Sequence, residues 1–366
     1  MKIVTLVGAR PQFIKSAAFS RALHGAHEEI LLHTGQHYDA NMSQVFFDEL
    51  HMADPKYNLG IGSGSHAQQT AYMMLGIEGV LLKEKPDILV VFGDTNSTLA
   101  GALVASKMNI PIVHIEAGLR AFLRYVPEEL NRIVTDHLST LNFTPSENGR
   151  KWLAEEGIVN GVFNVGDIMY DSLLFYSKLA NEKPFKYYFD RLVSLCGRLP
   201  YELLQNGWYL STIHRQENTD SIDKYEQILE ALNSLNLPVV MPLHPRTQKL
   251  IPKEDLAFRF PNVLFVEPLS YVDALYFCGN AKKVITDSGG LHKESYLLHI
   301  PSVVIANNSC WIETLEGNWA TLSTPNKNEI IEKVMNTQID EKKWELHYGN
   351  GDAAENIVKI LESLYK

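Results

Sequence analysis

The sequence predicts an α/β protein built from two doubly wound, Rossmann-like units facing a central cleft. Short β-branched or apolar runs alternate with longer helix-like segments, which is the pattern of a parallel sheet covered by helices on both faces. The alternation occurs twice along 366 residues, a length that ordinary domain sizes divide in two. The composition, 45% hydrophobic and 21% charged, is that of a globular protein with a full core.

In the first half, strands are expected at residues 2–7, 29–33, 88–92, 112–115 and 141–144. In the second half they are expected at 208–212, 239–243, 263–265, 283–285 and 302–305. Between the halves, residues 167–206 are rich in aromatic and charged side chains without a β pattern and read as a helical connector. Residues 353–365 carry Ile357, Ile360, Leu361 and Leu364 at helical spacing, so an amphipathic helix is expected to pack back on the first unit. The expected domains are therefore 1–167 with 353–366, and 168–352.

Lys and Arg number 33 against 43 Asp and Glu, a net charge of −10. No basic field exists to draw in a nucleic acid, although a few local cations suffice for a small anion. Cys196, Cys278 and Cys310 are scattered and odd in number, which indicates neither a disulfide framework nor a zinc site. The apolar start reaches Gly8 and Arg10 too soon for a signal peptide, and no apolar stretch is long enough to span a bilayer. A cytoplasmic protein with no metal and no membrane partner is expected.

In open α/β sheets, ligands sit outside the carboxyl ends of the strands, so the residues after each strand are the candidates. After 283–285 comes Thr286-Asp287-Ser288-Gly289-Gly290, then a helix-like stretch. Ser288 to Gly290 would lie at a helix N-terminus, where outward N–H groups and two glycines let a diphosphate approach the main chain. Glu294 falls one helical turn further on, within reach of a ribose carried by that diphosphate. A sugar nucleotide fits the arrangement, although many strand-to-helix turns use a Gly pair for packing alone.

After the first strand come Gly8, Arg10, Pro11 and Lys15, with Gly8 read as easing a tight turn and the two cations as awaiting an anion. The run is not G-x-G-x-x-G, so NAD is not expected. After 88–92 stands Asp94, whose ordinary role would be a helix cap. Glu116 interrupts an apolar strand end, where a carboxylate is more often functional than not. Glu128, in the first turn of a helix opened by Pro127, is favourable to the helix dipole in any case. Grouped in one cleft, Asp94, Glu116 and Glu128 would raise one another's pKa and suit general acid and base work. In the second half, His214 with Arg215, and His244 with Arg246, follow strands beside the Ser-Gly-Gly turn and read as a diphosphate pocket.

Taken in order, Gly8-Ala9-Arg10-Pro11-Gln12 with Lys15, Thr34-Gly35-Gln36-His37, Gly93-Asp94-Thr95, His114 to Arg120, Pro127 to Arg132, His214 to Asn218 and Thr286 to Gly290 resemble the non-hydrolysing UDP-N-acetylglucosamine 2-epimerases. The resemblance runs over nearly the whole chain and implies the two-domain glycosyltransferase-B architecture, in agreement with the two doubly wound units read above. It implies inversion at C2 of a UDP-2-acetamido sugar without a cofactor, through elimination of UDP and its return to a 2-acetamido-glycal, in surface polysaccharide synthesis. It implies acid/base roles for Asp94, Glu116 and Glu128, a place in the catalytic cleft for Lys15, and assistance to the leaving diphosphate from His214. Arg10, His244, Arg246, Tyr271, Ser288, Gly289 and Gly290 would bind the UDP sugar, Glu294 its ribose, and the enzyme would be a homodimer.

Cys310-Trp311-Ile312-Glu313-Thr314 and the spacing from Glu116 to Pro127 resemble more closely the branch acting on UDP-2,3-diacetamido-2,3-dideoxyglucuronic acid. Ala306 stands where that branch usually carries Arg, and His292-Lys293 depart from the usual pair. Residues 62–66 depart from the pattern of epimerases activated by their own substrate, so no such regulation is expected. Two alternatives stay open at this level: a hydrolysing UDP-sugar 2-epimerase, and a binding relative that has lost its chemistry.

Overall fold

The computed structural model describes residues 1–35, 50, 52–62, 64–197, 201–243 and 247–365. The chain divides into two units, Met1–Leu174 with Leu346–Lys366, and Phe175–Glu345. The division at 174/175 falls inside the helix Ile168–Ala180, beside the 167/168 expected.

The first unit carries β1 (Lys2–Val7), β2 (Glu28–His33), β3 (Tyr57–Asn58), β4 (Ile88–Phe92), β5 (Ile112–Ile115), β6 (Leu141–Thr144) and β7 (Val162–Asn164). They form one sheet in the order β3-β2-β1-β4-β5-β6-β7, parallel throughout. Central strands read as unbroken apolar runs because helices cover both faces; every residue of β4 is buried. The second unit carries β8 (Tyr209–Thr212), β9 (Val239–Pro242), β10 (Val263–Val266), β11 (Lys283–Thr286), β12 (Ser302–Ile305) and β13 (Ala320–Ser323). Its sheet is also parallel, in the order β10-β9-β8-β11-β12-β13. The strand order reverses between β1 and β4 and again between β8 and β11, which is where doubly wound sheets open a crevice.

All ten expected strands are present, with ends shifted by at most a residue. β3, β7 and β13 have no counterpart in the sequence reading. Each lies at a sheet edge, where one-sided pairing asks for no apolar run. The region read as a helical connector holds the helices Ile168–Ala180, Phe185–Arg191 and Tyr201–Leu204, yet Ser194 makes an antiparallel bridge to Val266.

The last helix, Ala353–Leu364, belongs to the first unit and packs on the helix Arg10–Ala22. It buries Ala353, Ala354, Ile357, Val358 and Leu361, while Leu364 is exposed, so its packed face is turned away from the stripe expected. The Asp171 carboxylate accepts the N–H groups of Ala353 and Ala354 at 3.2 and 2.7 Å and so caps this helix from another. Burial outweighs those two bonds and pushes the Asp171 carboxyl up to about 6. Among the described residues no helix is long and apolar enough to cross a membrane.

Candidate functional site

In the first unit the loops after β1 and β4 are stitched by one side chain. The carboxamide oxygen of Gln12 accepts the N–H groups of Gly8 and Ala9 at 2.8 and 3.1 Å. Its nitrogen donates to the carbonyl of Phe92 at 2.8 Å and to the hydroxyls of Thr95 and Thr98 at 3.0 and 2.9 Å. Gly8 owes its identity to close approach, not to the turn. A Cβ there would lie 2.1 Å from Ser97 Oγ and 2.4 Å from Thr34 Oγ1.

Lys15 is buried in the first helix and forms an ion pair with Glu116, so the cation expected to await an anion already faces one. Glu116 directly follows β5 with φ +70, a left-handed conformation that strains a residue bearing a Cβ. Gly93 lies against this pair: a Cβ on it would sit 3.4 Å from Lys15 Nζ and 3.6 Å from Glu116 Oε2. Arg10 occupies the first position of the same helix, half-buried.

Asp94 does not cap the next helix; Thr95 does, its hydroxyl accepting from the Thr98 N–H at 3.3 Å. The Asp94 carboxylate, one third exposed, instead accepts from Arg132 Nε and Nη2 at 2.9 and 2.7 Å. Arg132 also pairs with Glu129, whose buried carboxylate accepts the N–H of Ala121 and, at 2.7 Å, that of Phe122. Glu128, next to it on the helix Pro127–Leu138, is exposed, and among the described residues no ion pair reaches it. Asp94 and Glu116 therefore each face a cation.

In the second unit, Ser288 caps the helix Gly289–Leu297, its hydroxyl accepting from the Leu291 N–H at 3.4 Å. Arg215 Nη2 and Trp311 Nε1 each lie 3.7 Å from where a Cβ of Gly289 would be, so both donors flank the turn. Asp287, fully buried behind it, accepts the N–H groups of His214 at 3.0 Å and Arg215 at 2.9 Å, and the Asn218 carboxamide at 3.1 Å. The loop after β8 is thereby hung on the loop after β11. The His214 ring is 38% exposed, with Nδ1 3.5 Å from Asp287. Glu294 is half-buried one turn into the helix. Tyr271 is only 2% exposed and packs edge-on against Tyr176 at 5.6 Å, a core position. His244 and Arg246 lie outside the described residues, as do Gln36, His37 and Ser63.

The departures noted in the sequence have structural partners. Ala306 is buried in a small apolar cluster with Val304 and Ala320. Lys293, also buried, places Nζ 3.9 Å from the centre of the Trp311 ring. His292 Nε2 lies 2.6 Å from Thr314 Oγ1, and burial, then the charges of Arg215 and Lys293, lower this imidazole to about 3. Gln12, Arg132, Asp287 and Trp311 were given no role by the sequence. A polar residue beside a motif's glycine or carboxylate was the available signal for the first three.

The family model for UDP-N-acetylglucosamine 2-epimerase matches residues 21–362. A UDP-N-acetylglucosamine 2-epimerase homolog of Methanococcus maripaludis is 46% identical over 367 residues, covering 100% of both chains. The UDP-2,3-diacetamido-2,3-dideoxy-D-glucuronate 2-epimerase of Pseudomonas aeruginosa is 40% identical over 374 residues, again covering 100% of both. Among solved structures, the UDP-GlcNAc 2-epimerase of Methanocaldococcus jannaschii in complex with UDP-GlcNAc and UDP matches with a TM-score of 0.88 at 38% identity, covering 99% of this chain and 100% of that one. With paired α/β units, strand-end loops arranged as described and a match over nearly its whole length, this chain belongs to the UDP-N-acetylglucosamine 2-epimerase family.

Proposed function

We propose that the protein epimerises a UDP-2-acetamido sugar at C2, for surface polysaccharide synthesis. The observation that carries the reading is Glu116, a carboxylate held in a strained backbone conformation at a strand end and buried against Lys15. Strain of that kind persists where surrounding structure over-determines it, and functional sites are where it collects. A base takes the C2 proton; the C2–H electrons form the C1=C2 bond while the C1–O bond breaks and UDP departs. Reprotonation of the glycal on its opposite face, with return of UDP to C1, gives the epimer.

Asp94, Glu116 and Glu128 serve as the acid and base groups, with Lys15 beside Glu116 to hold or donate a proton. The diphosphate lies on the Ser288–Gly290 turn, where helix N–H groups, Arg215 and His214 meet its charge as it leaves. Glu294 accepts from the ribose. What supports this division of labour is the distribution of side chains, carboxylates in one unit and the anion cradle in the other.

In heavy water, the product sugar should carry deuterium at C2. The assay runs over UDP-GlcNAc, UDP-GlcNAcA and the UDP-2,3-diacetamido uronic acid. Unlabelled product would sink the proposal, and free UDP accumulating in step with turnover would mark hydrolysis instead. The proposal includes a cytoplasmic homodimer. Tyr72, Leu75 and Leu82 on the helix His66–Glu84, and Leu130 on Pro127–Leu138, are exposed apolar residues suited to such an interface. Light scattering should return twice the 41.3 kDa of one chain, and a 41.3 kDa species would refute the dimer.

A further inference from the structure

We infer that His114 and Asp136 form a buried positioning pair that sets the three acid/base carboxylates against one another, an inference that rests on the C2 epimerase reading above. His114, on β5, is fully buried. Its Nε2 lies 2.8 Å from the carbonyl oxygen of Gly93, which can only accept, so the Nε2 hydrogen points there. Its Nδ1 lies 2.7 Å from Asp136 Oδ1. Asp136, on the helix Pro127–Leu138, is also fully buried and accepts the Gly118 N–H at 3.2 Å and Arg120 Nη1 at 2.7 Å. Arg120 continues to Glu156 through two bonds of 2.7 Å.

These bonds reach each candidate carboxylate by a separate route. Gly93 immediately precedes Asp94, and its α-carbon lies against the Lys15–Glu116 pair while its carbonyl is held by His114. Gly118 follows Glu116 by two residues, so the grip of Asp136 on its N–H fixes the turn that leaves Glu116 strained. The helix bearing Asp136 holds Glu128 in its first turn and also carries Arg132, the partner of Asp94. One buried pair thus ties the turn before Asp94, the turn after Glu116 and the helix behind Glu128. A displacement of about 1 Å among reacting groups costs on the order of 100-fold in rate, so a clamp here is felt in chemistry before it is felt in binding.

The test compares C2 exchange in wild type, His114→Asn and His114→Gln on whichever UDP sugar the wild type exchanges best. UDP affinity by calorimetry reports on the second unit. His114→Asn removes the donor to Gly93 and should lower exchange on the order of 100-fold, with UDP affinity and KM nearly unchanged. His114→Gln places an amide N–H near the Nε2 position and should recover part of the loss. Wild-type exchange in His114→Asn overturns the inference. So do two equally slow variants that lose UDP affinity in parallel, because that marks general support of the fold. If His114→Asn does not fold, Asp136→Asn decides: lost exchange with retained UDP affinity supports the clamp, and wild-type exchange overturns it. An inactive wild type strikes the epimerase reading itself.

Discussion

Glu116 joins two properties that rarely meet in one residue, a buried charge and a left-handed backbone. Replacement by Gln keeps the shape and the backbone strain but removes the base. Glu116→Gln should therefore slow C2 exchange roughly 100- to 10,000-fold while UDP affinity stays at the wild-type value. Exchange within tenfold of wild type would assign the base elsewhere. Glu116 was legible because a carboxylate ending an apolar strand has no local explanation. Its counter-ion was not, since Lys15 was read from its own helix and not from a strand about a hundred positions away. The same holds for Asp94 with Arg132 and for the loops hung on Gln12 and Asp287. Such pairings depend on which strands become neighbours, and a linear reading of local pattern carries no such information. Gly8 shows the complementary error: its need for no Cβ comes from Thr34 and Ser97, and not from its own turn.

At the level of elements, nine central strands and the edge strand β10, buried throughout, were legible because burial demands continuous apolar runs. The other three edges were not: β3 is two residues long, and β7 reads Val162-Phe163-Asn164 with no residue fully buried. Helix starts were legible in kind but not in register. Asp94 had the right chemistry for a cap and stands one residue before the Thr95 that does the capping. In Pro127-Glu128-Glu129-Leu130-Asn131-Arg132 the sequence singled out the exposed Glu128. The structure turns Glu129, Asn131 and Arg132 inward, Glu129 to the loop before the helix and Asn131 and Arg132 to Asp94 after β4. The terminal helix was foreseen on its length and apolar content, but its packed face is set by Ala353 and Ala354, which are small enough to come close to the first unit.

At the scale of the whole molecule, the two units respond oppositely to mild acid. His292 is held neutral in the second unit with its pKa lowered to about 3 by burial, so an unfolded chain takes up a proton below 6.5 that the folded unit refuses. Stability present above 6.5 is lost as pH falls, by about 1.4 kcal/mol per pH unit while the two pKa values bracket the pH. Asp171 in the first unit, raised to about 6 by burial, has the reverse sign: its contribution is full below 3.8 and is lost as pH rises through 6. Hydrogen exchange at pH 7 and pH 5 should show weakened protection in 289–297 with none lost in 168–174. His292→Gln should abolish the difference. Equal weakening of both segments would contradict the assignment.

The capping of Ala353–Leu364 by Asp171 also bears on the order in which the protein is made. The first unit lacks one of its helices until residues 353–364 have left the ribosome, by which time all of 175–345 has already been synthesised. The unit begun first is therefore finished last. During translation, the apolar side of Arg10–Ala22 that awaits this helix is the surface a nascent-chain chaperone would find open.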